Sequence, residues 1–202
     1  MTPKPLLRLR LQAIILAFVL MPLAASAQKY FRSYNKFDGL CDNSVCCVNQ
    51  DANGFLWIGT LNGLSRFDGE VFTSFFHDDH NPLSLSCNVV RALLPVDDGL
   101  WIGTDHGLDF YSMADGQFHH ATTTTADGSS QPIDERFNHI LHTANHIIAV
   151  TNSGEMFRSS KGALTFSKVK QQGRKYDAVT IVHDKLLAAA GPEGIWLLSA
   201  DG

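Results

Sequence analysis

The sequence is poor in the features that announce catalysis. It has no HExxH, no GxSxG and no GxxxxGK[ST] stretch, so no zinc pair, nucleophile elbow or phosphate cradle is spelled out. Its four cysteines, Cys41, Cys46, Cys47 and Cys87, contain no CxxC and no Cys/His arrangement at zinc spacing. Cys46 and Cys47 are neighbours and point to opposite faces if they lie on a strand. Buried free thiols are read here in preference to a Cys41–Cys87 bridge. Charge is sparse, at 18% of residues, and its balance is acidic, with a formal net charge of −4. That balance argues against nucleic acid or anionic lipid as a partner. Nothing in the 202 residues reads as a kinase domain, and neither catalysis nor a cofactor is expected of this chain.

Long apolar runs are also absent after residue 27. The one that exists, Leu11 to Leu23, follows Lys4, Arg8 and Arg10 and leads into Ala25-Ser26-Ala27. A basic end, an apolar middle and a small-x-small exit make residues 1–27 a secretory signal, cleaved between Ala27 and Gln28. The run is shorter than the roughly 20 apolar residues that a spanning helix needs. The signal holds three basic residues and no acidic ones, so its removal takes the charge from −4 to −7. The mature chain is expected in the periplasm, with no membrane segment of its own.

What the chain does have is repetition. "GFLWIGTLNGLSRFDG" at 54–69 is nearly restated by "GLWIGTDHGLDFYSMADG" at 99–116. Anchoring on the glycine after each such segment gives Gly63, Gly107, Gly154 and Gly194, spaced by 44, 47 and 40 residues. A period of this size marks a repeat architecture. Each copy divides into four short apolar runs separated by turn residues. In the first these are 45–50, 55–60, 63–67 and 71–76, with "DANG", "LN" and "DGE" between them. Asn-Gly and Asp-Gly between such runs are hairpin signals.

The expected fold is therefore all-β, built of β-propeller blades of four antiparallel strands. The blades fall at 43–76, 88–121, 138–169 and, incomplete, 177–202. "KYFRSY", within 29–35, reads as an outermost strand without its own blade. One stretch conflicts: in 135–150, Phe137, Ile140, Leu141, Ala144, Ile147 and Ile148 fall at helical spacing. The alignment of copies favours strands there, because Asn138 and Ile140 fall opposite Asn88 and Val90.

Within the motif each residue type has a structural use. Trp57 and Trp101 fill the space between blades, and their indole N–H groups need partners there. Gly59 and Gly103 allow neighbouring sheets to approach closely. Thr60 and Thr104 satisfy backbone groups in the turn, and Gly63 and Gly107 permit the positive φ that ends it. A sugar-binding aromatic platform at the tryptophans is the alternative, set aside because a repeated blade tryptophan is more often core.

Polar candidates lie in the connections. "HDDH" at 77–80 holds imidazole and carboxylate that suit a metal, but it reads as a polar connection, and no metal site is expected. His139 and His142 would point to opposite faces of a strand and make a poor pair. Ligands are expected on the face built from 36–44, 77–88 and 121–138 with the turns 60–62, 104–106 and 151–153. Asp78, Asp79, Asp105 and His106 are the candidate ligand-binding residues there.

The words of the repeat are themselves familiar. "FDGLCDNSVCCVNQDANGFLWIGTLNGLSRFDGEVFTSF" and "NPLSLSCNVVRALLPVDDGLWIGTDHGLDFYSMADGQF" resemble the two-component regulator propeller repeat. That repeat occurs in the periplasmic sensor regions of hybrid two-component histidine kinases of gut Bacteroidetes. The likeness is specific over 31–118, weaker to 170 and faint beyond. Cys41 stands where the pattern usually has Ser, and the last two copies lack the Trp-Ile-Gly core.

The resemblance implies a sensor segment of a seven-bladed propeller, a glycan ligand, and further blades or a homodimer partner. It implies a truncated or fragmentary chain. The alternative is a stand-alone secreted small propeller, closed by the stray strand and acting as a binding or assembly scaffold.

Overall fold

A computed structural model describes residues 31–125, 128–170, 175–183, 186–192 and 194–199. Residues 1–27, read above as a secretory signal, with the Ala27–Gln28 junction and residues 29 and 30, lie outside the described residues. The chain divides into two units, Met1–Ser33 and Tyr34–Gly202, and the second carries the described strands.

Blade one is a four-stranded antiparallel sheet of β1 (Val45–Gln50), β2 (Leu56–Thr60), β3 (Gly63–Phe67) and β4 (Phe72–Phe75), in chain order. Blade two repeats it with β5 (Val90–Val96), β6 (Gly99–Thr104), β7 (Gly107–Ser112) and β8 (Phe118–His120). The connection that follows is not all loop: β9 (Thr122–Thr124) and β10 (Ser130–Pro132) form a hairpin. Blade three is β11 (Phe137–His142), β12 (His146–Thr151), β13 (Met156–Ser160) and β14 (Thr165–Lys168). Strand β9 pairs in parallel with β14, so the hairpin extends blade three to six strands and covers its outer edge. An unpaired edge strand is a template for aggregation, and the new edge is the three-residue β10, blunted by its shortness and by Pro132. Blade four contains β15 (Ala178–His183), β16 (Leu186–Gly191) and β17 (Gly194–Ser199).

Residues 31–35, read above with 29 and 30 as an outermost strand, form none. Tyr34 packs its ring against Phe67 and Phe72, at 4.9 and 5.6 Å between centroids, and Asn35 caps a 3-10 turn at Lys36–Asp38. That aromatic packing takes up the apolar side chain that suggested a strand.

The helical spacing at 135–150 has a simple origin. Strand β11 carries a bulge between Phe137 and His139, and the extra residue shifts the alternation by one. Phe137 and Ile140, three apart, are therefore both buried, which mimics a helical stripe. Equivalent bulges interrupt β1 between Val45 and Cys47 and β5 between Val90 and Ala92.

The second strands of blades one to three are buried on both faces and send alternate residues to opposite neighbours. Trp57 joins Leu64, Val90, Ile102 and Tyr111 between blades one and two, while Ile58 packs on the other side with Leu40 and Phe67. Trp101 likewise packs with Phe137, Ile147 and Phe166 between blades two and three. Burying a tryptophan of roughly 200 Å² at about 25 cal/mol per Å² stabilises by about 5 kcal/mol. The Trp57 Nε1–H donates to buried Asp51 at 2.8 Å, a bond to a charged acceptor that adds about 1.5–3 kcal/mol. Area anchors the ring, and the carboxylate fixes its orientation.

Close packing explains the glycines of β2 and β6. A Cβ at Gly59 would sit 2.5 Å from the Cys47 sulfur and 2.6 Å from Val90 Cγ1. One at Gly103 would lie 2.8 Å from the Phe137 carbonyl oxygen. Neither glycine has a positive φ, so the constraint is space alone. Gly59→Ala and Gly103→Ala are each expected to destabilise by about 1–3 kcal/mol through overpacking. An unchanged urea midpoint in both variants would refute the close approach of the blades.

Candidate functional site

The site is defined by one end of the blades, where each turn between second and third strands meets the segments that lead into the blades. In blade one Thr60 pairs with Gly63 across the two-residue turn Leu61-Asn62. The Thr60 hydroxyl donates to the Gly63 carbonyl at 2.8 Å and accepts the Asn62 N–H at 3.1 Å. Thr104 repeats both bonds, at 3.0 Å to Gly107 and 3.1 Å from His106. Gly63 and Gly107 adopt φ of 110° and 129°, which a side chain would disfavour.

Blade three departs from this. Thr151 is followed by a three-residue turn in which Gly154 N–H bonds the Thr151 carbonyl and the Thr151 N–H bonds Glu155. Gly154 is thus the closing residue of a longer turn, while Gly63 and Gly107 begin strands. Aligning these glycines placed the third strand of this copy slightly early, at 154 instead of Met156.

These turns sew the blades together through main chain. Leu61 N–H donates to Ser44 of its own blade's lead-in at 3.0 Å, and Gly63 N–H to Asn88 of the next at 2.7 Å. Asp105 and Gly107 repeat this with Val89 and Glu135, at 3.1 and 2.9 Å. Asn152 N–H reaches Arg136, and the carbonyl of Gly154 accepts from Tyr176 N–H in the lead-in of blade four. Because the seam uses backbone atoms, the side chains at the turn tips and bulges are left for other work.

Those side chains converge in pairs. Arg91, at the bulge of β5, forks onto Asp105, Nε to Oδ1 at 2.8 Å and Nη2 to Oδ2 at 3.1 Å. Arg136 Nε lies 3.2 Å from the same carboxylate as an ion pair without hydrogen-bond alignment. The hydrogen bond from Arg91 holds the Asp105 carboxyl below its ordinary range, and the same bond raises the guanidinium. At the equivalent positions of blade three, Asn138 Nδ2 donates to Asn152 Oδ1 at 2.9 Å. In blade one they are exposed Cys46 and Leu61. A bidentate guanidinium beside paired amides offers a fixed, mixed donor and acceptor surface for hydroxyl or anionic groups.

The four candidate ligand residues fall into two groups. Asp105 is pinned as described, and His106 beside it lies 3.0 Å from Asp134, both side chains being exposed. Asp78 and Asp79 bond within their own connection: Asp79 takes His77 Nε2 at 2.9 Å, and Asp78 lies 3.6 Å from His80. The other nitrogen of His77 is 2.6 Å from the Leu85 carbonyl, and that contact, more than Asp79, raises the imidazole. Among the described residues no group of three His, Cys, Asp or Glu side chains gathers as for a metal.

The thiols are free in all four cysteines, but they are not the buried thiols expected: Cys41, Cys47 and Cys87 are half-buried. Burial pushes the Cys47 thiol up to about 12, but Cys46 is exposed, because the bulge turns it out of the sheet.

Sequence reading missed the polar network that holds 77–88 to blade two. Asp109 is completely buried and accepts from the Ser86 N–H at 2.8 Å, the Ser86 hydroxyl at 2.9 Å and His120 Nδ1 at 2.7 Å. His120 Nε2 is 2.9 Å from the Pro82 carbonyl, so both ring nitrogens face acceptors, an arrangement that suits imidazolium. A charge at the midpoint of a strand was the available signal, since Asp109 interrupts an otherwise apolar run.

The Asp109 hydrogen bond raises the His120 pKa. Its contribution to stability is therefore full below the unfolded value of about 6.5 and is lost as pH rises through the folded value. His120→Gln is expected to lower the urea midpoint more at about pH 5.5 than at about pH 8.5. An equal loss at both would show that the ring acts only as neutral packing.

Comparison with known proteins agrees with this geometry. The pattern of the two component regulator propeller family matches residues 39–62 and 84–106, the lead-in and first two strands of blades one and two. Histidine kinase P4 of Formosa agariphila is 35% identical over 74 residues, which are 36% of this chain and 5% of that protein.

Two similar solved structures are extracellular domains of two component systems of B. thetaiotaomicron. That of the hybrid system BT3049 has a TM-score of 0.71 at 22% identity, over 84% of this chain and 25% of the other. That of BT4673 has a TM-score of 0.64 at 15% identity, over 90% and 24%. The chain thus matches a small part of the kinase and about a quarter of each extracellular domain. Residues 39–62 and 84–106 match the two component regulator propeller repeat, and the chain that carries them has the β-propeller fold.

Proposed function

We propose that this chain is the N-terminal sensor segment of an exported hybrid two-component system, and that it binds a glycan and contributes to signal transduction. The reading places it in the periplasm, brought there by the signal at 1–27. Among the described residues no helix is long and apolar enough to cross a membrane.

The observation that carries the reading is the division of labour at the connection end. Main-chain bonds close the seam, while Arg91, Asp105, Arg136, Asn138 and Asn152 present side-chain donors and acceptors beside it. Asp105 positions the two guanidinium groups, and His106, with Asp78 and Asp79 in the neighbouring connection, supplies further partners for sugar hydroxyls. Loops and turns carry such recognition while strands hold them in place.

The direct test is calorimetric titration of the full chain with a panel of plant and host oligosaccharides. Binding by at least one is expected, weakened about tenfold or more in Arg91→Ala and in Asp105→Asn. Binding that is indifferent to both substitutions would contradict the placement of the ligand, and no binding by any oligosaccharide would contradict the reading itself.

A further inference from the structure

We infer that a cavity beside Trp101, at the opposite end of blades two and three from the seam, is a second binding subsite that takes one pyranose ring. It rests on the proposed glycan reading for the choice of ligand, and on its own geometry for the site.

The cavity exists because two equivalent interfaces are filled differently. Between blades one and two, Trp57 is closed in by Phe75 at 5.9 Å and Tyr111 at 5.2 Å between ring centroids. Tyr111 pairs with Leu100 across its sheet, and the same register in blade three pairs Ile147 with Ser159. A serine thus stands where the closing ring would be. Its hydroxyl turns away to the carbonyls of Ala163 and Thr165, at 2.8 Å each.

The first turn differs as well. In blade one it runs from Asp51 to Phe55 and brings the Asp51 carboxylate onto the Trp57 indole. In blade two Val96 pairs with Gly99, so only Asp97 and Asp98 make the turn, and Asp98 is exposed. Phe110 and Phe166 still flank Trp101, at 5.0 and 5.3 Å between centroids, and beside it lies a space of about 210 Å³ lined by Asp98 of the short turn and by Ile147, the cross-strand partner of Ser159. A neighbouring space of about 100 Å³ shares Val96, Ile147 and Lys161 with it.

Its chemistry selects the ligand. Trp101, Phe110 and Leu164 give an apolar floor and wall, while Asp98, His119 and Lys161 stand at the margin. The volume is below the roughly 300 Å³ at which pockets for drug-sized ligands begin, so it suits one ring and not a chain. A pyranose has an apolar C–H face for the floor and hydroxyls on its edge. The Asp98 carboxylate accepts from those hydroxyls, and Lys161, whose ammonium lies 3.7 Å from Asp97, has further protons to donate, while His119 Nε2 is engaged by Asp115 at 3.1 Å. A wholly apolar ring would leave the margin unused.

The experiment is saturation-transfer NMR of the full chain with methyl β-glucopyranoside and methyl β-galactopyranoside, with phenol as the apolar control. Two variants are compared: Ser159→Tyr, which restores the closing ring, and Asp98→Ala, an exposed change that spares the packing should the first fail to fold. Transfer to at least one glycoside is expected, with affinity reduced about tenfold or more by Asp98→Ala and abolished in folded Ser159→Tyr. Glycoside signals that survive these variants but vanish in Arg91→Ala would overturn the subsite while leaving the proposed function in place. Absence of glycoside transfer, or equal transfer to phenol, would also overturn it, and oligosaccharide titration then judges the sensing reading independently.

Discussion

The structure depends on a short turn closed by a threonine hydroxyl. Thr60 and Thr104 hold their turns so that the following glycine turns its N–H toward the lead-in of the next blade. One side chain thus converts a local hairpin into an interblade bond, and the same device recurs at about the period of the sequence. Hydrophobic burial supplies most of the stabilisation between blades, yet it is non-directional. The seam bonds supply direction, fixing how one sheet follows another.

Because the seam is main chain, the side chains around it are free to differ, and they do. Blade two ties its lead-in with Ser86, Asp109 and His120. Blade one meets the same need more weakly, with Cys41 N–H on the Ser65 hydroxyl at 3.0 Å and its thiol on the Leu64 carbonyl. The replacement of the usual serine by Cys41 therefore goes together with Ser65 in place of an aspartate. At the bulges, cysteine, arginine and asparagine succeed one another on an unchanged backbone. The blades share one scaffold and differ in the side chains set around the seam.

Much of this was legible in the sequence, since it came from residues whose chemistry is local. Repeated Leu-Trp-Ile-Gly-Thr and Gly-Leu gave the strands, their all-β class and the two-residue turns, because pattern and turn residues agree there. The β9–β10 hairpin was not legible: 122–124 is a threonine run with a weak apolar signal, and it becomes a strand only by adding to the edge of β14. The helical stripe at 135–150 misled because a bulge breaks the two-residue period, and a bulge has no fixed sequence. Asp105 was visible as a polar turn residue, but its partners Arg91, on β5, and Arg136, in the lead-in of blade three, are brought together only by the fold. The Trp101 cavity is lined from blade two and from Ile147 and Lys161 to Leu164 of blade three, and no single segment reveals it.

The central claim is that main-chain seam bonds couple the blades into one cooperative body. Native-state hydrogen exchange at the amides of Leu61, Gly63, Asp105 and Gly107 tests it most directly. The account predicts that all four exchange only through global unfolding, as slowly as the buried amides of β6, although the side chains of Leu61 and His106 beside them are exposed. Exchange as fast as that of an unprotected amide would contradict it, and would mean that side-chain contacts, not the main-chain seam, hold the blades together.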